Sequence, residues 1–203
     1  MLQQYDVLIM GGGLSGLTLA IQLKREVASL RILIAEKAVH PVSEAAHKVG
    51  ESSVEIASHY FETILGLKPQ LDNELPKLGL RFFYTLGDNL DISKRIELGP
   101  NDFPAAKSYQ LDRGRFENAL AEQCLQLGID FQDNCKTKDI ALGKNQHQVT
   151  LVHNGEESLV KTNWLVDSTG RMSLLKRKLK LAKPAYHDIN ASWFRINHEI
   201  NID

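Results

Sequence analysis

Three glycines near the start of the chain have the G-x-G-x-x-G spacing that lets a backbone approach a phosphate group: Gly11, Gly13 and Gly16. Gly11 permits a tight turn, Gly13 has no Cβ to keep a pyrophosphate away, and Gly16 allows a helix to pack close to a sheet. A helix that begins here offers free N–H groups and a partial positive charge to the same anion. The spacing therefore predicts a dinucleotide site, whereas a glycine-rich turn used only for packing is the alternative.

Glu36 follows a short apolar run, residues 32–34, and lies about 20 residues beyond the last of these glycines. A carboxylate at the end of the second strand can accept hydrogen bonds from both hydroxyls of an adenosine ribose. Its charge also disfavours a 2′-phosphate. We therefore expect FAD or NAD as the ligand rather than NADP.

A strand, a helix and a second strand must hold these groups together. Residues 7–10 and 32–34 are apolar runs long enough for two buried strands. Between them, apolar residues recur on one helical face at Leu17, Ala20, Ile21 and Leu23. This strand–turn–helix–strand order is the context in which the glycine spacing indicates nucleotide binding.

Two further helices are predicted from their end signals. Ser52 and Glu55 have the spacing of a capping box, and Gly66 is a plausible helix end. The expected buried face of this helix is Ile56, Tyr60 and Ile64. In the second helix, Asp112 is the expected N-cap, Gly128 ends it, and the expected buried face is Phe116, Leu120, Cys124 and Leu127.

The rest of the chain favours short strands. Residues 80–85 and 129–131 each predict one strand, and 137–165 contains three partly alternating segments, two of them joined by the hairpin signal Asn154-Gly155. A strand ending near 167, a short basic helix at 173–179 and a strand at 189–196 follow. The expected fold class is α/β, Rossmann-like, with a parallel sheet and a small inserted antiparallel sheet.

Composition excludes several classes of function. The 203 residues are 43% hydrophobic and carry a net charge of −1, so no nucleic-acid partner and no anionic membrane surface is expected. No apolar stretch approaches the ~20 residues of a membrane span, and the N-terminus has no signal peptide pattern. Two unpatterned cysteines suit a cytoplasmic location, and the seven histidines lack ligand spacing, so no metal site is expected.

Four motifs occur together in one order: GGGLSG at 11–16, KVGES at 48–52, YQLDRGRFENAL at 109–120 and VDSTGR at 166–171. With them the chain resembles the FAD-dependent oxidoreductases of the flavin-dependent halogenase group, the tryptophan-halogenase-like enzymes. Aromatic hydroxylases and geranylgeranyl reductases are more distant relatives. The resemblance implies a Rossmann-like FAD-binding domain of the glutathione-reductase type at 1–185, with an interrupted substrate-side segment at about 67–108 and the antiparallel insertion at about 137–162. An incomplete substrate domain would begin at 186–203.

The resemblance also implies roles for individual residues. The FAD pyrophosphate would be held by Gly11, Gly13, Ser15 and Gly16, and the adenosine ribose by Glu36. The strap over the flavin would contain Gly50, Glu51 and Ser52, and Arg113 would lie near the ribityl–pyrophosphate region. Asp167 and Gly170 would close the adenosine side. The alternatives are that Arg113 is an exposed residue of the first helical turn and that Asp167 only caps the next helix.

Lys77 is the expected catalytic residue, because Lys77-Leu78-Gly79-Leu80-Arg81-Phe82 resembles the stretch that carries the reactive lysine of halogenases. In that chemistry reduced FAD, oxygen and a halide give hypohalous acid, and the lysine ammonium delivers the halogen to an electron-rich ring. Lysine suits this task as a compact cation on a flexible stem. The alternative is a solvated loop lysine beside Pro76.

Departures from the halogenase pattern keep rival functions open. The W-x-W-x-I-P motif is absent, and the second flavin motif would follow residue 203. We therefore expect the N-terminal part of a longer enzyme that acts on a small aromatic or unsaturated molecule, with reduced flavin supplied by a partner reductase. The rivals are an FAD-dependent monooxygenase or reductase without halogenation, and a truncated, non-catalytic nucleotide-binding fragment.

Overall fold

A computed structural model describes residues 2–87, 90–186, 189–194 and 196–198. The strands are β1 (Leu2–Met10), β2 (Ile32–Ala35), β3 (Leu75–Lys77), β4 (Phe82–Tyr84), β5 (Ile96–Leu98), β6 (Ser108–Gln110), β7 (Asp130–Gln132), β8 (Cys135–Ala141), β9 (His147–His153) and β10 (Glu156–Asp167). The helices are α1 (Leu14–Glu26), α2 (Glu55–His59), α3 (Lys68–Leu71), α4 (Arg113–Gln126) and α5 (Leu174–Lys178). A π-helical turn, Tyr60–Ile64, continues α2, and short 3₁₀ turns cover Ile92–Lys94 and Gly170–Met172.

The central sheet has six strands in the order β7-β2-β1-β10-β9-β8. Strand β1 runs parallel to both β2 and β10, and β2 runs parallel to β7. Strands β10, β9 and β8 pair antiparallel, and the long β10 therefore belongs to both parts of the sheet. The predicted α/β class with a parallel sheet and an antiparallel addition is confirmed. The carboxyl ends of β1, β2 and β10 meet at one edge.

Strand β1 alternates between two cores. Val7 and Ile9 face the core that holds α1 and α4, whereas Leu8 and Met10 face the core built with the antiparallel strands. All four side chains are buried, as expected of a central strand covered on both faces. Because both faces are covered, the end of β1 is held firmly where the glycine loop begins.

The predicted capping box at Ser52 is wrong. Helix α2 begins at Glu55 with Val54 as its N-cap, and no side chain caps it. Ser52 instead forms an isolated antiparallel bridge with Gln110 of β6. Pairing with β6 keeps this segment extended, so the helix starts later than the capping signal suggests.

The predicted buried face of this helix is confirmed at Tyr60, which packs against the core, but is wrong at the other two residues. Ile56 is 83% exposed and Ile64 is 50% exposed, whereas Phe61 and Leu65 are buried. The π-helical turn accounts for the change from Ile64 to Leu65, because its wider winding moves each later residue around the axis relative to a 3.6-residue pattern. Ile56 precedes this turn, and its exposure has another origin. Gly66 does follow the end of this helical segment, with a φ of +56°.

Other local predictions are confirmed. Asp112 caps α4 by accepting hydrogen bonds from the N–H groups of Gly114 and Arg115. Asn154 and Gly155 both have positive φ in the turn between β9 and β10, as a type I′ hairpin requires. The strand predicted at 80–85 is present as the shorter β4, which pairs with β5.

The strand predicted at 189–196 is wrong for the described residues, since 189–194 and 196 form no strand and Arg195 lies outside them. An alternating sequence becomes a strand only where a neighbour can pair with its backbone groups, and the described part of the chain supplies none here. The described helices include none that is long and apolar enough to cross a membrane.

Candidate cofactor-binding site

The glycine loop between β1 and α1 has room for a ligand at only one of its three motif glycines. A Cβ added to Gly11, whose φ is +107°, would lie 2.3 Å from the carbonyl oxygen of Ser168. A Cβ on Gly16 would lie 2.1 Å from the carbonyl oxygen of Gly11. At Gly13 the nearest atom would be Glu117 Oε1, at 3.9 Å. Gly11 and Gly16 are therefore needed for packing, whereas a Cβ at Gly13 would make only this ordinary van der Waals contact and would otherwise face open space.

That open space belongs to a cavity of about 920 Å³ over the carboxyl ends of β1 and β2. Its walls include six of the predicted cofactor residues: Gly11, Gly13, Ser15, Glu36, Arg113 and Gly170. The volume lies within the range of small-molecule sites, roughly 300–1,000 Å³. The backbone cradle, the helix N-terminus and the ribose-binding acid predicted from the sequence therefore meet in one place.

Glu36 attaches the end of β2 to the glycine loop. Its Oε2 accepts a hydrogen bond of 2.6 Å from the N–H of Gly12, and its Oε1 accepts one of 2.7 Å from the N–H of Ala38. Each carboxylate oxygen can accept a second hydrogen bond, so the same group can also receive ribose hydroxyls. Glu36 can therefore both fix the loop and bind the sugar.

Arg113, the first residue of α4, points into this site and not into solvent. Its side chain is 13% exposed. Nη1 donates to the carbonyl oxygen of Val49 at 3.1 Å, and Nε donates to Glu117 Oε1 at 2.9 Å. The alternative of an exposed first-turn arginine is therefore wrong, and the guanidinium joins α4 to the segment 48–52.

Glu117 and Lys48 are the site residues that our sequence reasoning missed. The Glu117 side chain is 1% exposed and forms ion pairs with both Arg113 and Lys48. Its Oε1 also accepts a hydrogen bond of 3.1 Å from the N–H of Leu14, the first residue of α1. Two signals were available: the Arg113–Glu117 spacing of four residues on a helix, and the position of Lys48 inside the KVGES motif.

The KVGES segment, residues 48–52, lines a second cavity of about 1010 Å³. Lys48 lines both cavities, whereas Gly50, Glu51 and Ser52 line only the second. Beyond its bridge to Gln110, the segment is held by a hydrogen bond of 2.7 Å from the N–H of Leu111 to the carbonyl oxygen of Glu51. We call residues 48–52 the strap.

Lys77 ends β3, next to the strap. Its ammonium donates a hydrogen bond of 2.8 Å to the carbonyl oxygen of Ser53, and the residue is half-buried. It is therefore a strand residue with a backbone partner and not the solvated loop lysine of the alternative. It lines neither of the two cavities described above, so its catalytic role stays a prediction.

Asp167 caps the helix that follows it, α5, as the alternative interpretation of this residue predicted. Its Oδ2 accepts from the N–H of Leu175 at 2.7 Å, and its Oδ1 accepts from the N–H and hydroxyl of Thr169. Burial acts to raise the pKa of this carboxyl, but these hydrogen bonds outweigh burial and hold the pKa below its usual value. Asp167 thereby fixes the turn that carries Gly170 to the cavity, and its closure of the adenosine side stays a prediction.

Cys135 is a further wall residue of the cofactor cavity. Burial raises the pKa of its thiol to about 11, with a smaller contribution from Asp133. Within the described ranges, no group of three or more histidine, cysteine, aspartate or glutamate side chains could hold a metal ion.

Residues 4–203 match the family model of the FAD binding domain, and the chain therefore belongs to the FAD binding domain family. The flavin-dependent halogenase chlA of Dictyostelium discoideum is 27% identical over an alignment that covers 97% of this chain and 37% of that protein. The chain thus spans well under half the length of this curated relative. FAD is the cofactor of the family.

Solved structures share the fold. The flavin-dependent halogenase CmlS superposes with a TM-score of 0.70 at 20% identity, covering 88% of this chain and 31% of CmlS. The halogenase PltM, solved with phloroglucinol and FAD, superposes with a TM-score of 0.66 at 23% identity, covering 87% of this chain and 36% of PltM. The resemblance to flavin-dependent halogenases predicted from the four motifs is confirmed.

Proposed function

We propose that this chain is the FAD-binding part of a halogenase-like oxidoreductase. The observation that carries the proposal is the single cavity into which the glycine loop, Glu36 and the Arg113–Glu117–Lys48 cluster all open. Bound FAD would supply electron transfer to oxygen, with or without a halide. The backbone around Gly13 would hold the pyrophosphate, and Glu36 would hold the adenosine ribose.

The second cavity is the proposed place of a small organic substrate. Its walls include the apolar side chains of Leu75, Trp193 and Phe194, which suit an aromatic or unsaturated molecule. Since Lys48 lines both cavities, a substrate in the second one would lie close to the cofactor. The strap would exclude bulk water between the two. Reduced flavin would come from a partner reductase in the cytoplasm.

Lys77 is the proposed group for halogen delivery. A hydrogen bond to the carbonyl oxygen of Ser53 leaves two of its three ammonium protons for other partners. Its place beside the strap supports this role. Its absence from the walls of both cavities favours the second candidate, an FAD-dependent monooxygenase or reductase without halogenation.

FAD retention by the purified chain tests the proposal. Protein mixed with FAD and passed through a desalting column should keep the visible flavin absorbance band, and circular dichroism should show that it is folded. A folded chain that keeps no flavin would overturn the proposal and favour a non-catalytic fragment. Halide-dependent modification of an aromatic probe, with chemically reduced FAD and oxygen, would then separate the halogenase from the monooxygenase.

A further inference from the structure

The carboxylate of Glu117 gathers donors from three separate segments of the chain. Its Oε1 accepts from the N–H of Leu14 in α1 and from the guanidinium of Arg113 in α4. Its Oε2 accepts from the ammonium of Lys48 in the strap. With 1% of the side chain exposed, water takes almost no part in these contacts. The carboxylate of Glu117 thus connects the glycine loop, α4 and the strap through hydrogen bonds and ion pairs; we call this cluster the junction.

The charges at this junction do not favour a simple electrostatic role for the acid. Two cations and one carboxylate leave a net positive charge beside Gly13, where we propose that the pyrophosphate binds. A carboxylate so close to that place repels a phosphate. Any favourable contribution of Glu117 to cofactor binding must therefore come from the groups that it holds in position.

We infer that Glu117 is a positioning residue for FAD, which clamps the strap and Arg113 against the N-terminus of α1. The inference rests on the proposed binding of FAD. Arg113 also donates to the carbonyl oxygen of Val49, so α4 holds the strap at two successive residues, Lys48 and Val49. Without the carboxylate, Lys48 and Arg113 lose their ion-pair partner, and the N–H of Leu14 loses its acceptor.

The variant Glu117→Gln distinguishes a positioning role of Glu117 from a purely electrostatic one, because the two roles predict opposite changes in the Kd for FAD. If only charge mattered, Glu117→Gln would remove a repulsive carboxylate and FAD would bind more tightly. If Glu117 positions the site, we expect the Kd for FAD to rise at least about tenfold, as expected for the loss of a charge-assisted contact. The matched control is Glu122→Gln, an exposed acid on the same helix, which should leave the Kd unchanged.

A second readout needs no cofactor. Hydrogen–deuterium exchange of the chain without FAD should show faster exchange at 13–16 and 48–52 in Glu117→Gln, with no change in β8 and β9. A role in general stability would instead raise exchange throughout the sheet.

Unchanged or tighter FAD binding by folded Glu117→Gln protein overturns the inference. If the folded wild-type chain binds no FAD, the proposed function fails, and exchange alone then tests the positioning role. In that case, unaltered exchange at 48–52 overturns it as well.

Discussion

The ammonium of Lys77 lies 2.8 Å from the carbonyl oxygen of Ser53, one residue beyond the strap. This contact ties the proposed halogen-delivering group to the backbone that continues from the strap. It gives Lys77 a fixed base while leaving ammonium protons for another partner. Because Lys77 does not line the cofactor cavity, a substitution there can test halogen delivery without changing the binding of FAD.

Lys77→Ala should abolish halogenation while leaving FAD bound. With reduced FAD, oxygen and halide, mass spectrometry should show product formation falling about 100-fold or more, the size of the loss when one charged or hydrogen-bonding group is removed from a reacting atom. Oxygen consumption should persist. The control is Lys94→Ala at an exposed lysine, and unchanged product formation in Lys77→Ala would remove this residue from the mechanism.

Substitution of Gly13 should mainly weaken FAD binding, whereas substitution of Gly16 should mainly lower the stability of the fold. Gly13→Val places a side chain in open space, so we expect the free energy of unfolding to fall by ~1 kcal/mol or less while the Kd for FAD rises at least about tenfold. Gly16→Ala places a Cβ against a carbonyl oxygen and should lower the free energy of unfolding by about 2 kcal/mol or more. Urea denaturation measures the free energy of unfolding, and flavin titration measures the Kd for FAD. Equal FAD affinity in Gly13→Val and wild type would exclude this part of the loop from the site.

Cys135 should be alkylated slowly at neutral pH, and FAD should protect it. Because burial raises the pKa of its thiol to about 11, the thiolate fraction and the rate with iodoacetamide should rise about tenfold per pH unit below that value. Cys124, with a pKa raised to about 12 by burial, should react more slowly still and lies outside the cavity wall. Peptide mass spectrometry distinguishes the two thiols, and protection of Cys124 alone would contradict the assignment of the cavity.

Asp167 should contribute stability that depends on pH. Its folded-state pKa lies below the unfolded value of about 3.9, so the ionised carboxylate stabilises the fold above that pH, and the contribution is lost as pH falls toward the folded-state pKa. Asp167→Asn should cost about 1–2 kcal/mol at pH 7 and less near pH 3. Thermal denaturation across this pH range measures the difference, and a cost independent of pH would show that the charge has no part in it.

Prediction from sequence succeeded where the signal is local. The glycine loop, the cap at Asp112 and the Asn154-Gly155 turn each depend on a few adjacent residues whose backbone needs are specific. It failed at Ser52, where pairing with a distant strand overrides a capping signal. It also missed Glu117 as a site residue, because the local Arg113–Glu117 spacing alone indicates only a helical ion pair, and the other donors, Leu14 and Lys48, are far away in the chain.

Strand β10, with twelve residues, joins a surface turn to the edge of the sheet where the glycine loop lies. One end of this strand begins at the Asn154-Gly155 turn, and the other end, roughly 40 Å away, delivers the Ser168 carbonyl oxygen against Gly11. The parallel pairing of β10 with β1, which sets Met10 beside Asp167, brings that oxygen to the glycine loop. A slip of one residue in this pairing would turn every β10 side chain to the opposite face and move the oxygen away. The proposed binding edge is therefore aligned along the whole length of a strand and not only where the loop and β10 meet.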